Sequence, residues 1–211
     1  MSLLVVGSVA FDSVKTPYGS VDRVLAGAGT YFALAASFFT DVRVVAVVGE
    51  DFTATEEKVF LNRGIDITGI AHAKGKSFFW AGEYGENVNE AKTLDTQLGV
   101  FADFNPQIPA KFKKTEYVFL ANIDPVLQVN VRKQVDGAKF VGGDTMNYWI
   151  NGSRPQLAEM LALSGIFVLE KRPTERMPPT PLWNVTRARA YGATEVLFLQ
   201  RAGIPAEVRV R

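Results

Sequence analysis

An α/β fold of three layers, with helices on both faces of a mostly parallel sheet and a small antiparallel β lid beside it, is predicted by three features of the sequence. Short continuous apolar runs, Leu3–Val9, Val42–Val48 and Glu116–Ala121, have the length and two-sided apolarity of strands buried between helices. A small-residue turn, Ala26-Gly27-Ala28-Gly29-Thr30, opens directly into an apolar helix pattern. Polar clusters follow three of the strands, on the side where ligands enter open α/β sheets.

Taken in order, Leu3–Val9 is the first strand and Asp12 is placed just past its carboxyl end, where an acid either binds a ligand or caps a turn. Thr16–Val24, with Pro17 and Gly19, predicts a short two-stranded excursion. In Thr30–Phe39 small and apolar side chains run almost all round the helix, which predicts burial on most sides. The glycines ahead of it allow close approach to the helix N-terminus, whose free N–H groups suit oxygen-rich or anionic ligands. Val42–Val48 is the second strand, Glu56–Asn62 an amphipathic helix stopped by Gly64, and Ile65–Ile70 another extended segment, followed by His72 in a polar loop.

Ser77–Tyr84 (SFFWAGEY) and Lys92–Leu98, joined by the loop Gly85–Asn89, read as antiparallel strands outside the main sheet, too short and too polar on one face for its centre. Phe78, Phe79 and Trp80 stand in a row, so alternation forces at least one ring to the opposite face. Those rings suit stacking on a flat or sugar ligand, a dimer contact, or packing within the domain. Asn122, Asp124 and Pro125 lie at the carboxyl end of Glu116–Ala121, and Leu127–Val135 is a helix. Phe140 and Val141 begin a fourth strand, with Asp144, Thr145 and Asn147 behind it; Gln156–Leu163 is a helix and Ile166–Leu169 a fifth strand. Convergence of three polar clusters on one side of a sheet marks a binding crevice more strongly than any member alone.

Composition narrows the chemistry. Of 211 residues 47% are apolar, enough for a substantial core, and Lys+Arg 23 against Asp+Glu 22 leaves no electrostatic footprint for nucleic acid or an anionic membrane. A small molecule is the expected partner. Without cysteine and with His72 as the single histidine, a thiolate nucleophile, a disulfide scaffold and a multi-His or Cys-ligated metal site are excluded. No run has the length of a membrane-spanning helix and the start has no signal-peptide pattern, so a cytoplasmic location is expected. After Glu170 the character changes: residues 171–211 hold five of the ten prolines and seven arginines, with one short apolar run, Thr194–Leu199, fit to pair as a strand. Residues 1–170 are therefore expected to form the α/β portion, with lid strands inserted at about 14–25 and 76–100, and 171–211 a divergent, mostly irregular tail.

Order of elements and motif together resemble the ribokinase-type (PfkB) family of sugar and nucleoside kinases, over roughly Met1–Leu169. The resemblance is carried by Ala26-Gly27-Ala28-Gly29-Thr30, the Ala-rich helix Tyr31–Ser37, Val47-Val48-Gly49-Glu50-Asp51, by Asp12 in GSVAFDSV and by Arg63-Gly64-Ile65-Asp66. It implies that Asp12 binds substrate hydroxyls and that Gly27, Gly29 and Thr30 line the substrate. Phe79 and Trp80 would belong to a lid over the site, often used for dimerisation, and Asp124 occupies a position where the family puts an acid near the substrate. Asn122, Asp144 and Asn147, at the same carboxyl edge, complete the candidate substrate-binding set. ATP and Mg2+ are the cofactors expected of a complete enzyme of this kind.

Departures from the pattern are equally specific. Tyr31 stands where the first signature has Asn, and Ala26 where it has a glycine. Glu170-Lys171-Arg172-Pro173 replaces an Asn-x-x-Glu motif that organises metal and phosphate. The second signature, Asp-Thr-x-Gly-Ala-Gly-Asp, which carries the anion hole and the catalytic base, is absent; Asp95-Thr96 begins like it but lies in the lid. No catalytic or metal-binding residue is therefore assigned. The sheet is expected to be incomplete on its C-terminal side, and the tail to be a truncated or frame-shifted remnant or a divergent replacement. Two functions follow as expectations: a kinase-family protein with little or no phosphoryl transfer of its own, or a non-catalytic sugar- or nucleoside-binding or regulatory module. A Rossmann dinucleotide enzyme is disfavoured, since no Gly-x-Gly-x-x-Gly follows the first strand.

Overall fold

The computed structural model describes residues 2–87, 91–164, 166–171, 183–191 and 194–202. Five parallel strands make the main sheet, in the order β5-β4-β1-β8-β9: β1 (Ser2–Val6), β4 (Asp41–Val48), β5 (Asp66–His72), β8 (Tyr117–Leu120) and β9 (Phe140–Gly143). The lid is a second sheet, β3-β2-β6-β7, built from β2 (Ala10–Thr16), β3 (Gly19–Ala26), β6 (Phe78–Tyr84) and β7 (Ala91–Gln97). Helices α1 (Ala28–Ala36) and α2 (Ala54–Leu61) follow β3 and β4, and α3 (Pro125–Gln134), α4 (Asn147–Gly152) and α5 (Arg154–Leu163) follow β8 and β9.

Alternation along the buried strands divides the interior in two. Leu4, Val6, Val45, Val47, Val118 and Leu120 point to one face and meet Val129, Val131, Leu157 and Met160 of α3 and α5, closed below by Phe104, Ile108 and Phe112. Val5, Val42, Val44, Ala46 and Val48 point to the other and meet Ala33 of α1 and Phe60 of α2. Sheet order reverses between β1 and β8, because β4 and β5 lie to one side of β1 while β8 and β9 lie to the other. That reversal is where an open α/β sheet parts at its carboxyl edge to leave a crevice.

Several elements differ from the sequence reading, each for a physical reason. Asp12 is not in a turn after β1: the chain leaves the sheet at Val6 and re-enters extended structure at Ala10, so Asp12 is the third residue of lid strand β2. The lid is mixed rather than antiparallel, since β2 and β6 run parallel while β2–β3 and β6–β7 are antiparallel. Helix α1 buries only Gly29, Thr30 and Ala33, leaving Tyr31 57% exposed, so its apolar composition does not reflect burial on most sides. Phe38 and Phe39 lie past its end, at 67% and 86% exposure. The fifth strand of the main sheet is β5. Segment β10 (Ile166–Lys171) pairs instead with β12 (Thr194–Arg201) in a separate antiparallel sheet, whose third strand, β11 (Trp183–Tyr191), has no counterpart in the sequence reading. His72 is the last residue of β5, paired with Val48 and within 3.3 Å of Glu57. Of the loop Gly85–Asn89, Val88 and Asn89 lie outside the described residues, as do residues 172–182 of the tail.

One carboxylate ties the lid to the sheet. Asp51, just past β4, accepts from the backbone N–H and the hydroxyl of Ser77 at 2.8 Å each, and Ser77 Oγ accepts from Gly49 N at 2.8 Å. Its second oxygen takes the Arg23 guanidinium, which also lies over the rings of Phe11 and Phe79. Arg23 reaches it because β3 carries a bulge opposite Ser13, with Arg23 at φ 48°. Such bulges re-aim a side chain at the expense of local ladder bonds.

Burial alone would raise the Asp51 pKa, but the Ser77 hydrogen bonds and Arg23 hold it below the ordinary 3.8. A depressed native pKa stabilises the fold at pH above the unfolded value and loses that contribution as pH falls through the lowered one. Asp51→Ala is therefore expected to cost about 2–3 kcal/mol at pH 7, and Asp51→Asn to lose most of its deficit relative to wild type as pH falls through the lowered native pKa, both read by urea melts. Equal acid sensitivity of wild type and Asp51→Asn would rule this account out.

Candidate functional site

Ser8 joins the end of β1 to the start of α1. In the Gly7-Ser8-Val9 connection from β1 to the lid, its carbonyl accepts from Gly29 N at 2.9 Å and its hydroxyl from Ala28 N at 3.1 Å, satisfying two of the N–H groups that open α1. Gly27 and Gly29 are glycine because of this contact: a Cβ would lie 2.5 Å from the Ser8 carbonyl oxygen at Gly27 and 2.9 Å at Gly29, and Gly27 has φ 99°. Gly7 is equally confined, with Ala121 Cβ 2.5 Å from where its own Cβ would be. The ends of β1 and β8 and the start of α1 thus converge at the sheet's reversal point.

Around this junction stand the polar groups. Asp12 is half-buried on β2, and among the described residues its carboxylate has neither a hydrogen bond nor an ion pair; burial raises its pKa from 3.8 to about 6. Tyr31, from the first turn of α1, faces it: its hydroxyl pKa is raised first by burial, then by the charges of Asp12 and Tyr84. Asp144, after β9, also has a pKa raised by burial, countered by hydrogen bonds from the backbone N–H groups of Thr145 and Asn122. Next to it Asn122 Oδ1 and Thr145 Oγ1 are buried without a hydrogen-bond partner, and Thr30 Oγ1 on α1 is in the same condition. Oxygen acceptors without donors dominate this edge.

Gln128 of α3, fully buried, holds the edge together: its Nε2 donates to the carbonyls of Leu120, Ala121 and Asp144 at 3.1, 2.9 and 2.9 Å. Sequence reasoning missed it, although an amide between Leu127 and Val129 in the run PVLQVNV was a signal. Ser8, Tyr84 and the Arg23–Asp51 pair were also missed, and nothing in the sequence marks Arg23.

The remaining sequence-predicted residues are placed as follows. Asp124 caps α3, its Oδ1 accepting from Val126 N at 2.8 Å. Asn147 opens α4, of which only its backbone is described. Phe79 packs against the core beneath Arg23, and Trp80 lies on the lid in register with Asp12, its Nε1 bonded to Thr93 Oγ1 at 3.2 Å. Asp12, Trp80, Gly27, Gly29 and Thr30 thus belong to the lid and the start of α1, and Asn122 and Asp144 to the β8 and β9 edge beside it.

This architecture has close parallels. The nucleoside kinase of Methanocaldococcus jannaschii, an archaeal member of the ribokinase family, superposes with a TM-score of 0.60 at 18% identity, over 78% of this chain and 58% of that one. A fructokinase with bound ATP from Xylella fastidiosa gives 0.61 at 16%, over 78% and 59%, and a PfkB family carbohydrate kinase from Listeria grayi 0.65 at 13%, over 82% and 72%. The chain has the ribokinase fold. It spans about three fifths of the length of the nucleoside kinase and the fructokinase. No family model and no curated sequence matches the chain. Among the described residues no helix of the ribokinase fold here is long and apolar enough to cross a membrane.

The confinement of Gly29 is directly testable. Gly29→Ala is expected to cost roughly 1–3 kcal/mol by forcing Ser8 and α1 apart, and to lower Tm by several degrees in a thermal melt, whereas Gly64→Ala, whose Cβ would meet nothing, is strained only through its φ of 68°.

Proposed function

We propose that this chain is the acceptor-binding portion of a ribokinase-type kinase, holding a sugar or nucleoside through its hydroxyl groups. One observation carries the reading: the half-buried Asp12 carboxylate, unpartnered among the described residues, on the lid strand that pairs with β3 just ahead of the Gly27–Gly29 turn. A carboxylate accepts hydrogen bonds from two vicinal hydroxyls, and donors that replace lost water restore what burial costs it. Asn122 Oδ1 and Thr145 Oγ1 offer further acceptors. The lid excludes water that would otherwise compete as phosphoryl acceptor. In a complete kinase of this fold the reaction is transfer of the ATP γ-phosphoryl group to a hydroxymethyl group, with Mg2+ sharing the charge.

Support for a polypeptide that does not use ATP and Mg2+ comes from the helices that follow β3, β4 and β8. Anion cradles at helix N-termini need free N–H groups. Here α1 gives the N–H groups of Ala28 and Gly29 to Ser8, α2 is closed by a Thr53–Glu56 capping box and α3 is capped by Asp124, while α4 and α5 carry no side-chain cap. Nor do the described residues gather three His, Asp or Glu side chains fit for a metal ion. No phosphoryl-transfer step is assigned to the described residues. This favours the second reading, a non-catalytic binding or regulatory module keeping the same crevice. A homodimer through the lid belongs to the same proposal: Tyr18, Val21 and Leu94 expose 87%, 50% and 53% of their surface there.

Two outcomes are expected. Incubated with ATP, Mg2+ and a panel of sugars and nucleosides, the polypeptide gives no phosphorylated product above background; turnover at ordinary kinase rates, about 1–100 per second, would refute this. Asp12→Asn, by contrast, separates binding from stability. Because the native pKa of Asp12 is raised to about 6, its ionisation stabilises the unfolded chain more than the native one, and stability falls as pH rises from 3.8 to 6. The variant is thus expected to melt higher than wild type at pH 7.5, with the gap closing below pH 4, while hydroxyl-ligand affinity drops tenfold or more. In wild type, affinity should fall as pH drops below about 6. A variant that binds like wild type removes Asp12 from the site.

A further inference from the structure

The lid has two faces, and register assigns each aromatic side chain to one of them. Phe11 pairs with Phe79, and both turn toward the core beneath the Arg23 guanidinium. Asp12 pairs with Trp80, and Val14 with Gly82, so these four share the opposite face. Trp80 is therefore the carboxylate's neighbour on the adjoining strand, about 5 Å away across the ladder.

Its indole is held flat. A Cβ at position 82 would lie 2.0 Å from Trp80 Cη2 and 2.4 Å from Cζ2, so the ring occupies the space a side chain would fill, and Gly82 is buried beneath it. Nε1 is fixed to Thr93 Oγ1 at 3.2 Å on the next strand. One ring face thus lies against the lid and the other turns outward, on the side where Asp12 stands and where Tyr31 and Tyr84 approach. A rigid flat apolar surface next to an unpartnered acceptor is a two-part receptor: hydroxyls at one end, a planar ring at the other.

A free monosaccharide uses the first part and leaves most of the second bare. A nucleoside uses both, its ribose diol on the carboxylate and its base on the indole. We propose that Trp80, laid flat by Gly82 and Thr93, is the specificity-determining residue of the crevice and makes it a nucleoside site. The inference rests on the acceptor-site reading above and adds to it the class of ligand. Stacking of a base on an aromatic side chain is sequence-tolerant, so purine and pyrimidine nucleosides are both accepted, the larger purine more tightly.

Isothermal titration of the full chain with adenosine and with methyl β-D-ribofuranoside, which keeps the ring hydroxyls and lacks the base, tests it. Adenosine should bind at least tenfold more tightly. Trp80→Ala should abolish that margin while leaving riboside affinity within about twofold, Trp80→Phe should keep most of it, and Asp12→Asn should weaken both ligands together. Gly82→Val, which leaves the indole chemically intact but displaces it, should act like Trp80→Ala; circular dichroism of each variant verifies its fold. Equal affinity for the two ligands, or a Trp80→Ala variant that loses both in proportion, overturns the nucleoside assignment while the acceptor site stands. Failure of wild type to bind either ligand overturns the acceptor site and this inference with it.

Discussion

The contact between Ser8 and the start of α1 sets the geometry on which everything else at the carboxyl edge depends. Two hydrogen bonds from Ala28 and Gly29 hold the helix against the chain leaving β1, at a separation that no Cβ on Gly27 or Gly29 permits. Because the same few residues lead into β2 on one side and α1 on the other, this contact fixes the entry of Asp12 and Tyr31 into the crevice together. A helix seated farther out would put them on separate walls. The glycines of the turn thus serve packing first; their openness to a ligand is a consequence of how closely the backbones meet.

The lid is secured at its root by a different device. Gly49 has no room for a side chain, with the Gly75 carbonyl 2.4 Å from its hypothetical Cβ, Glu50 N donates to that same carbonyl at 2.8 Å, and Asp51 gathers Ser77 and Arg23. Each residue of Gly49-Glu50-Asp51 therefore anchors the place where β6 departs from the sheet. Among the described residues the far ends of the lid strands are tied to one another, by Lys15 and Glu83, and not to the main sheet, and β7 is exposed along its whole length. Rigidity at the base with freedom at the tip is what a cover over a crevice requires.

Main-sheet strands were legible because parallel strands buried on both faces must be continuously apolar, and Val42–Val48 or Tyr117–Leu120 can be little else. The lid was legible from its polar alternation and turn residues, and the glycine turn from its composition. What failed was depth of burial and the boundary between sheet and lid. Gly7, Ser8 and Val9 continue the apolar run of β1, so nothing in the sequence says that pairing stops at Val6 and that Asp12 rides on a lid strand. Helix α1 misled for another reason: part of its apolar surface lies beside a groove lined by Leu3, Phe32, Tyr117, Phe119 and Phe140, where the sheet bears no further helix among the described residues. Strand β11 was hidden by its arginines, since Arg187 and Arg189 occupy exposed positions in a run that reads as polar and irregular. Bulge-dependent placements such as Arg23 on Asp51 are a property of register, which a single sequence does not display.

The chemistry of the crevice selects for donors. Asp12, Asn122 Oδ1 and Asp144 present acceptor oxygens, Thr30 and Thr145 hydroxyls of either sense, and the N–H groups of Ala28 and Gly29 that might have drawn an anion are already given to Ser8. Two carboxylates whose pKa values are both raised by burial repel phosphate and are relieved by hydroxyls. On the proposed reading, a site with this balance suits a neutral, hydroxylated ligand better than an anionic one. The cost is visible in Asp12 itself, whose desolvation destabilises the empty fold and is offset only when donors arrive. The proposed binding without catalysis is physically coherent on these terms, because groups that recognise an acceptor and groups that stabilise a transferring phosphate are of opposite polarity and need not occupy the same part of a fold.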